Sequence, residues 1–122
     1  MKPKPMNNRV LILEDDAVIA WDIESELESR GWQIAGIKAK ASDTLPLMAE
    51  LRPDASVLDI NLGKENSFDV ARECIRLGIA AVFMSGESGD ALPDDLKNIT
   101  ICSKPVDYDR LHTALEQALN AL

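Results

Sequence analysis

Short apolar runs of β-type residues alternate with stretches of helical periodicity along the chain, and few folds accommodate that alternation. Val10 to Leu13 is the first run, after which Ile19, Ile23 and Leu27 recur every fourth residue until Gly31 stops the helix. Trp32 to Ile37 alternates weakly as a second strand. Leu45, Met48 and Leu51 then mark a helix capped by Ser42 or Asp43 and ended before Pro53. Ala55 to Leu58 is the third strand; beyond a loop containing Gly63, residues Phe68, Ala71, Ile75 and Leu77 predict a helix ending at Gly78. Ala80 to Met84 and Ile99 to Cys102 complete the strands. Between these two, Gly89 and Pro93 interrupt Ser88 to Lys97 and predict a short or irregular helix. The final helix carries Leu111, Ala114, Leu115, Ala118, Leu119 and Leu122 on one stripe. Five such strands alternating with five helices predict an α/β fold, its parallel sheet covered on both faces and joined by right-handed crossovers.

A length of 122 residues suits one domain with a single core, and an apolar share of 46% with 28% charged residues belongs to globular chains. No repeat, linker or low-complexity segment divides the sequence. The net charge of -8 argues against a nucleic-acid partner, because phosphate backbones are held by clustered Lys and Arg. Residues 1–8 are basic but lack the apolar stretch of a secretory signal, and no later run is long enough to cross a bilayer. The expectation is a flexible tail on a cytoplasmic protein, with no membrane partner. Cys74 and Cys102 lack CxxC or metal-type spacing and are expected to be small buried hydrophobes.

The strand ends carry the chemistry. Glu14 and Asp15 close the first run, Asp59 the third, Ser85 the fourth and Lys104 the fifth; a parallel sheet gathers such ends along one edge. Clustered carboxylates resist joint ionisation unless a cation is present. Few ligands, all oxygen, beside a lysine suit Mg²⁺ with one position left for a phosphate oxygen. Each residue also has a plain explanation alone. Glu14-Asp15-Asp16 suits a helix N-terminus, Asp59 a solvated loop, and Lys104-Pro105 a turn ahead of a helix. Those explanations leave the shared strand-end placement unaccounted for.

Leu13-Glu14-Asp15-Asp16, Leu58-Asp59-Ile60-Asn61, Phe83-Met84-Ser85-Gly86 and Ser103-Lys104-Pro105, in this order, resemble a response-regulator receiver domain of two-component signalling. The resemblance runs from about Arg9 to the C-terminus and implies a single receiver domain over 9–122. It implies a flavodoxin-like (βα)5 doubly wound sandwich whose five-stranded parallel sheet has the order 2-1-3-4-5. Asp59 would be the phosphoacceptor, attacking phosphorus in a phosphohistidine of a sensor histidine kinase or histidine phosphotransfer protein. Mg²⁺ would be held by Glu14, Asp15 and Asp59 and by the backbone carbonyl of Asn61. Lys104 would offset phosphoryl charge and the Ser85 hydroxyl would hydrogen-bond a phosphoryl oxygen, as suits a loose transition state. The side chains of Asn61 and Glu87 would tune dephosphorylation, or else be plain exposed loop residues.

Two departures bear on the output. The stretch Ile60 to Ser67 lacks the Met-Pro-Gly pattern of many receivers and resembles the FATGUY-type receivers of α-proteobacteria, as do Phe83-Met84-Ser85-Gly86 and Ala91-Leu92-Pro93. The switch position three before Lys104, usually aromatic, is Ile101. If Ser85 moves toward a phosphoryl group, the face of the fourth helix, fifth strand and fifth helix is expected to change most. That face would engage a downstream protein, with Tyr108 a candidate contact, in a monomer or a phosphorylation-dependent dimer. A phosphate sink or relay without a downstream target is the alternative. A haloacid-dehalogenase-type phosphatase would place its nucleophile after the first strand in an Asp-x-Asp pair, whereas Asp59-Ile60-Asn61 follows the third, so no enzyme acting on other molecules is expected. His112 is expected at a surface position of the last helix, and Trp21 and Trp32 in packing roles.

Overall fold

The computed structural model describes residues 8–86 and 92–122. Five strands form one parallel sheet: β1 (Arg9–Leu13), β2 (Gln33–Lys38), β3 (Ala55–Asp59), β4 (Ala80–Ser85) and β5 (Thr100–Ser103). Their order is β2-β1-β3-β4-β5, as expected. Central strands are apolar at successive positions because alternate side chains enter two different cores. Val10, Ile12, Val57, Val82 and Met84 pack with Ile23, Leu27, Leu111 and Leu115 on one face. Leu13, Leu58 and Phe83 pack with Met48, Val70, Cys74 and Leu96 on the other. The edge strands β2 and β5 bury less, which explains the weak alternation from Trp32 to Ile37.

Helix α1 (Ala17–Ser29) starts at Asp16, whose carboxylate accepts from the Val18 and Ile19 amides, and it buries Ala20, Ile23 and Leu27. The second helical stretch, α2, is broken into Ala41–Thr44, a 3-10 turn Leu45–Leu47 and Met48–Leu51. Pro46 lies within that 3-10 turn and supplies no N–H to a continuous ladder. Neither Ser42 nor Asp43 caps α2, contrary to expectation. Both lie inside its first turn, and the Glu65 carboxylate accepts from the Ala41 amide instead, at 2.9 Å. Helix α3 (Phe68–Leu77) ends at Gly78 in the left-handed region, with φ of 72°.

The apolar face of α3 is Val70, Ala71 and Cys74, while Ile75 and Leu77, expected in the core stripe, point outward. Of the helix expected over Ser88 to Lys97, the described residues hold a 3-10 turn, Asp94–Leu96, that buries Leu96. Ser88, Gly89 and Ala91 lie outside the described residues, as does the stretch 1–7 of the expected tail. The last helix, α4 (Tyr108–Asn120), is capped by Asp107 and buries Leu111, Ala114 and Leu115; Leu122, beyond its end, is exposed.

The loop after Asp59 is an antiparallel ribbon, Asn61–Leu62 with Glu65–Asn66, which the sequence pattern did not announce. Trp32 packs as expected, but Trp21 is 75% exposed on α1. Trp21 precedes Asp22 in the outward arc between the buried Ala20 and Ile23. His112 is half-buried and tied on both sides. Its Nδ1 accepts from Trp32 Nε1 at 2.9 Å, and its Nε2 lies 3.1 Å from Glu116 Oε1. Cys74 and Cys102 are both free and buried. No helix among the described residues is long and apolar enough to cross a membrane.

Candidate functional site

Sheet register brings the predicted residues to one edge. Leu13 lies level with Leu58, Asp59 with Met84 and Ser85 with Ser103, so the residues that follow or close these strands meet. The backbone holds that edge in place. Glu14 N–H donates to the Lys38 carbonyl at 2.9 Å, and Lys104 N–H donates to the Ser85 carbonyl at 2.8 Å. The Lys104-Pro105 peptide bond is cis.

Lys104 Nζ sits 3.0 Å from Asp59 Oδ2 and 2.9 Å from Glu14 Oε2. Carboxylate oxygens of Glu14, Asp15 and Asp59 all lie within 4.8 Å of one another. Asp59 is 4% exposed, which removes the solvated-loop explanation, and Glu14 is 2% exposed; Asp15 faces solvent. The Asn61 amide donates to Asp59 Oδ1 at 3.3 Å. Ser85 is buried at the end of β4, beside this edge.

Asp16 has the capping role expected of it and one more. Its own amide donates to Glu14 Oε1 at 3.0 Å, so the start of α1 orients Glu14. Sequence offered no signal for that contact beyond adjacency. Burial pushes the Glu14 carboxyl up to about 7, against the pull of the Asp16 amide and Lys104. For Lys104, burial opposes the charge, but the hydrogen bonds to Glu14 and Asp59 outweigh it and the net movement is upward.

The donor set fits a small hard cation. Three carboxylates converge and one ammonium faces them, so the cluster carries excess negative charge. Glu14 Oε2 is buried and faces the Lys104 ammonium at 2.9 Å. Glu14, Asp15 and Asp59 could hold a metal ion, all through oxygen. Glu87, expected near this site, lies outside the described residues.

Ile101 on β5 is half-buried and packs against the core face that also holds Phe83 and Leu96. His112 belongs to the bond network of α4 with Trp32, and its ring nitrogens are both engaged there.

No family model matches the chain. The transcriptional regulatory protein PdtaR of Mycobacterium tuberculosis is 30% identical over 74 residues, covering 61% of this chain and 36% of the relative. The chemotaxis protein CheY of Thermotoga maritima is 26% identical over 72 residues, 59% of this chain and 60% of that one. The matched stretch thus spans about a third of the first relative's length and three fifths of the second's. Among solved structures, the signal receiver domain of a modulated diguanylate cyclase from Desulfovibrio desulfuricans superposes with a TM-score of 0.78. It is 25% identical and covers 93% of this chain and 94% of that one.

Proposed function

The chain is a response-regulator receiver domain, and from that premise we propose that Asp59 accepts a phosphoryl group from a phosphohistidine of a sensor kinase or histidine phosphotransfer protein. One observation carries the proposal: a buried aspartate at a strand end is flanked by a lysine ammonium and two further carboxylates from a remote segment. An Asp59 oxygen forms the new bond to phosphorus while the phosphorus–nitrogen bond breaks, its electron pair returning to the imidazole. Glu14, Asp15, Asp59 and the Asn61 carbonyl would hold Mg²⁺, which would supply charge neutralisation at the phosphoryl group. Lys104, 3.0 Å from Asp59, meets one phosphoryl oxygen and the Ser85 hydroxyl another. Asn61 and Glu87 tune the later attack of water.

The protein acts on its own aspartate and turns over no other substrate. It works in the cytoplasm, over residues 9–122, and passes its state to a protein partner through the face built from the Asp94–Leu96 turn, β5 and α4. Ser85 and Ile101 form the switch, with an aliphatic side chain in place of the flipping ring; the Ile60 to Ser67 stretch resembles the FATGUY-type receivers.

The test is intact-mass spectrometry after incubation with Mg²⁺ and a small acyl phosphate. Wild type is expected to gain one phosphoryl group and Asp59→Asn none; no gain in wild type, or equal gain in both, defeats the proposal. Removal of Mg²⁺ with a chelator is expected to stop the gain.

A further inference from the structure

The ribbon that leaves Asp59 is hydrogen-bonded to another part of the fold through the Glu65 carboxylate. Asn61 pairs with Asn66 and Leu62 with Glu65, and the Ser67 amide closes the ribbon on the Ile60 carbonyl at 3.2 Å. Two residues per strand make a marginal structure on their own, so an outside anchor matters. Glu65 supplies it: its Oε1 accepts from the Ala41 amide, 24 residues away in sequence, at 2.9 Å. The preceding residue, Lys40, makes no side-chain capping bond, so the donor that begins α2 depends on the ribbon. Beneath this bond the buried Ile60 and Leu62 share one apolar cluster with Ala41 and Met48. At its other end the ribbon presents the Asn61 amide to Asp59 Oδ1.

We propose that Glu65 is a positioning residue for phosphoryl transfer, holding the Asn61 peptide against Asp59 by pinning the ribbon to the first turn of α2. The backbone of Asn61 then keeps its N–H on the acceptor carboxylate and its own carbonyl, in the next peptide unit, at the place assigned to the metal. A charged acceptor suits the role, since a carboxylate–amide bond is stronger than a neutral one. The inference rests on the phosphoacceptor reading of Asp59 and deepens it.

The test uses Glu65→Ala, which removes the acceptor, Glu65→Gln, which keeps an amide oxygen, and Ala41→Pro, which removes the donor. Proline is favoured at a first helical position, and Lys40 already has φ of -131° and ψ of 139°, suitable for a residue before proline. In metal-free protein, hydrogen exchange at the Asn61 amide is expected to rise about tenfold in Glu65→Ala and Ala41→Pro, with Glu65→Gln, which keeps a weaker neutral acceptor, between these and wild type. With acyl phosphate, the Mg²⁺ concentration for half-maximal phosphorylation is expected to rise about tenfold in the same two variants. Combining them is expected to add nothing further, because both break one contact.

Unchanged Asn61 exchange in Glu65→Ala overturns the coupling, and an unchanged Mg²⁺ dependence overturns the positioning role. A wild type that takes up no phosphoryl group defeats the phosphoacceptor reading instead, and the exchange measurement still decides the coupling. The two Glu65 variants carry the test alone if the proline variant does not fold.

Discussion

Helices α1 and α2 follow the first two strands and pack on opposite faces of the sheet, yet they begin in different ways. α1 is one run of 13 residues and is capped by the carboxylate of its own Asp16. α2 is three short turns around Pro46, and its first amide is met by Glu65 from a distant ribbon. A helix capped from within carries the partner of its first amides in its own sequence. One capped from elsewhere starts only when the tertiary fold is in place, and so senses the segment that caps it. Both starts also touch the site: the Asp16 amide holds Glu14, while the ribbon that caps α2 holds Asp59 through Asn61.

The largest effect is expected where α1 enters the core. Leu27 is fully buried, and Leu27→Ala is expected to cost about 2–5 kcal/mol in urea unfolding. A loss below about 1 kcal/mol would show that α1 is not the firm partner in the comparison.

Cys74 asks whether the α2 face as a whole is loose. Its thiol is buried there on α3, and burial pushes it up to about 11. The folded state therefore holds the proton more tightly than the unfolded chain. This contribution to stability is intact below the ordinary thiol range and is lost as pH rises through about 11. Alkylation of Cys74 near pH 8 is expected to be roughly a hundredfold slower in native than in urea-unfolded protein. Equal rates would mean that this face opens freely, and that the weakness is not confined to α2.

Removing the internal cap tests the other side. Asp16→Ala is expected to cost about 1 kcal/mol in thermal unfolding, through loss of the bonds to the Val18 and Ile19 amides. Ser42→Ala and Asp43→Ala, at the positions whose composition suggested a cap for α2, are expected to stay within about 0.5 kcal/mol of wild type. A cost like that of Asp16→Ala would erase the difference between the two helix starts. The smallest effect is expected from Trp21→Ser on the outer face of α1, again within about 0.5 kcal/mol.

The expected cap illustrates where sequence reading stops. Ser and Asp before an apolar stripe are a sound local signal, but at α2 a carboxylate 24 residues away met the first amide and these residues became the turn itself. On α3, periodicity alone admitted Ile75 and Leu77 to the stripe. The sheet accepted Val70, Ala71 and Cys74, because only one arc of a short helix meets the strands. The ribbon after Asp59 left no clear mark, since two residues per strand are too few for an alternation. The strand-end residues were legible because their meaning depends on register in a parallel sheet, and the apolar runs already imply that register.

Taken alone, the order of apolar runs and helical stripes determined the parallel α/β sandwich, and with it the edge where Glu14, Asp15, Asp59, Ser85 and Lys104 gather. Alternation of burial is a local property repeated along the chain, so a single sequence records it. Tertiary structure alone decided that Glu14 leans on the Asp16 amide and Lys104, that Glu65 begins α2, and that His112 serves Trp32. Those contacts depend on the distance and angle between groups brought together by packing, and no spacing along one strand or helix encodes them.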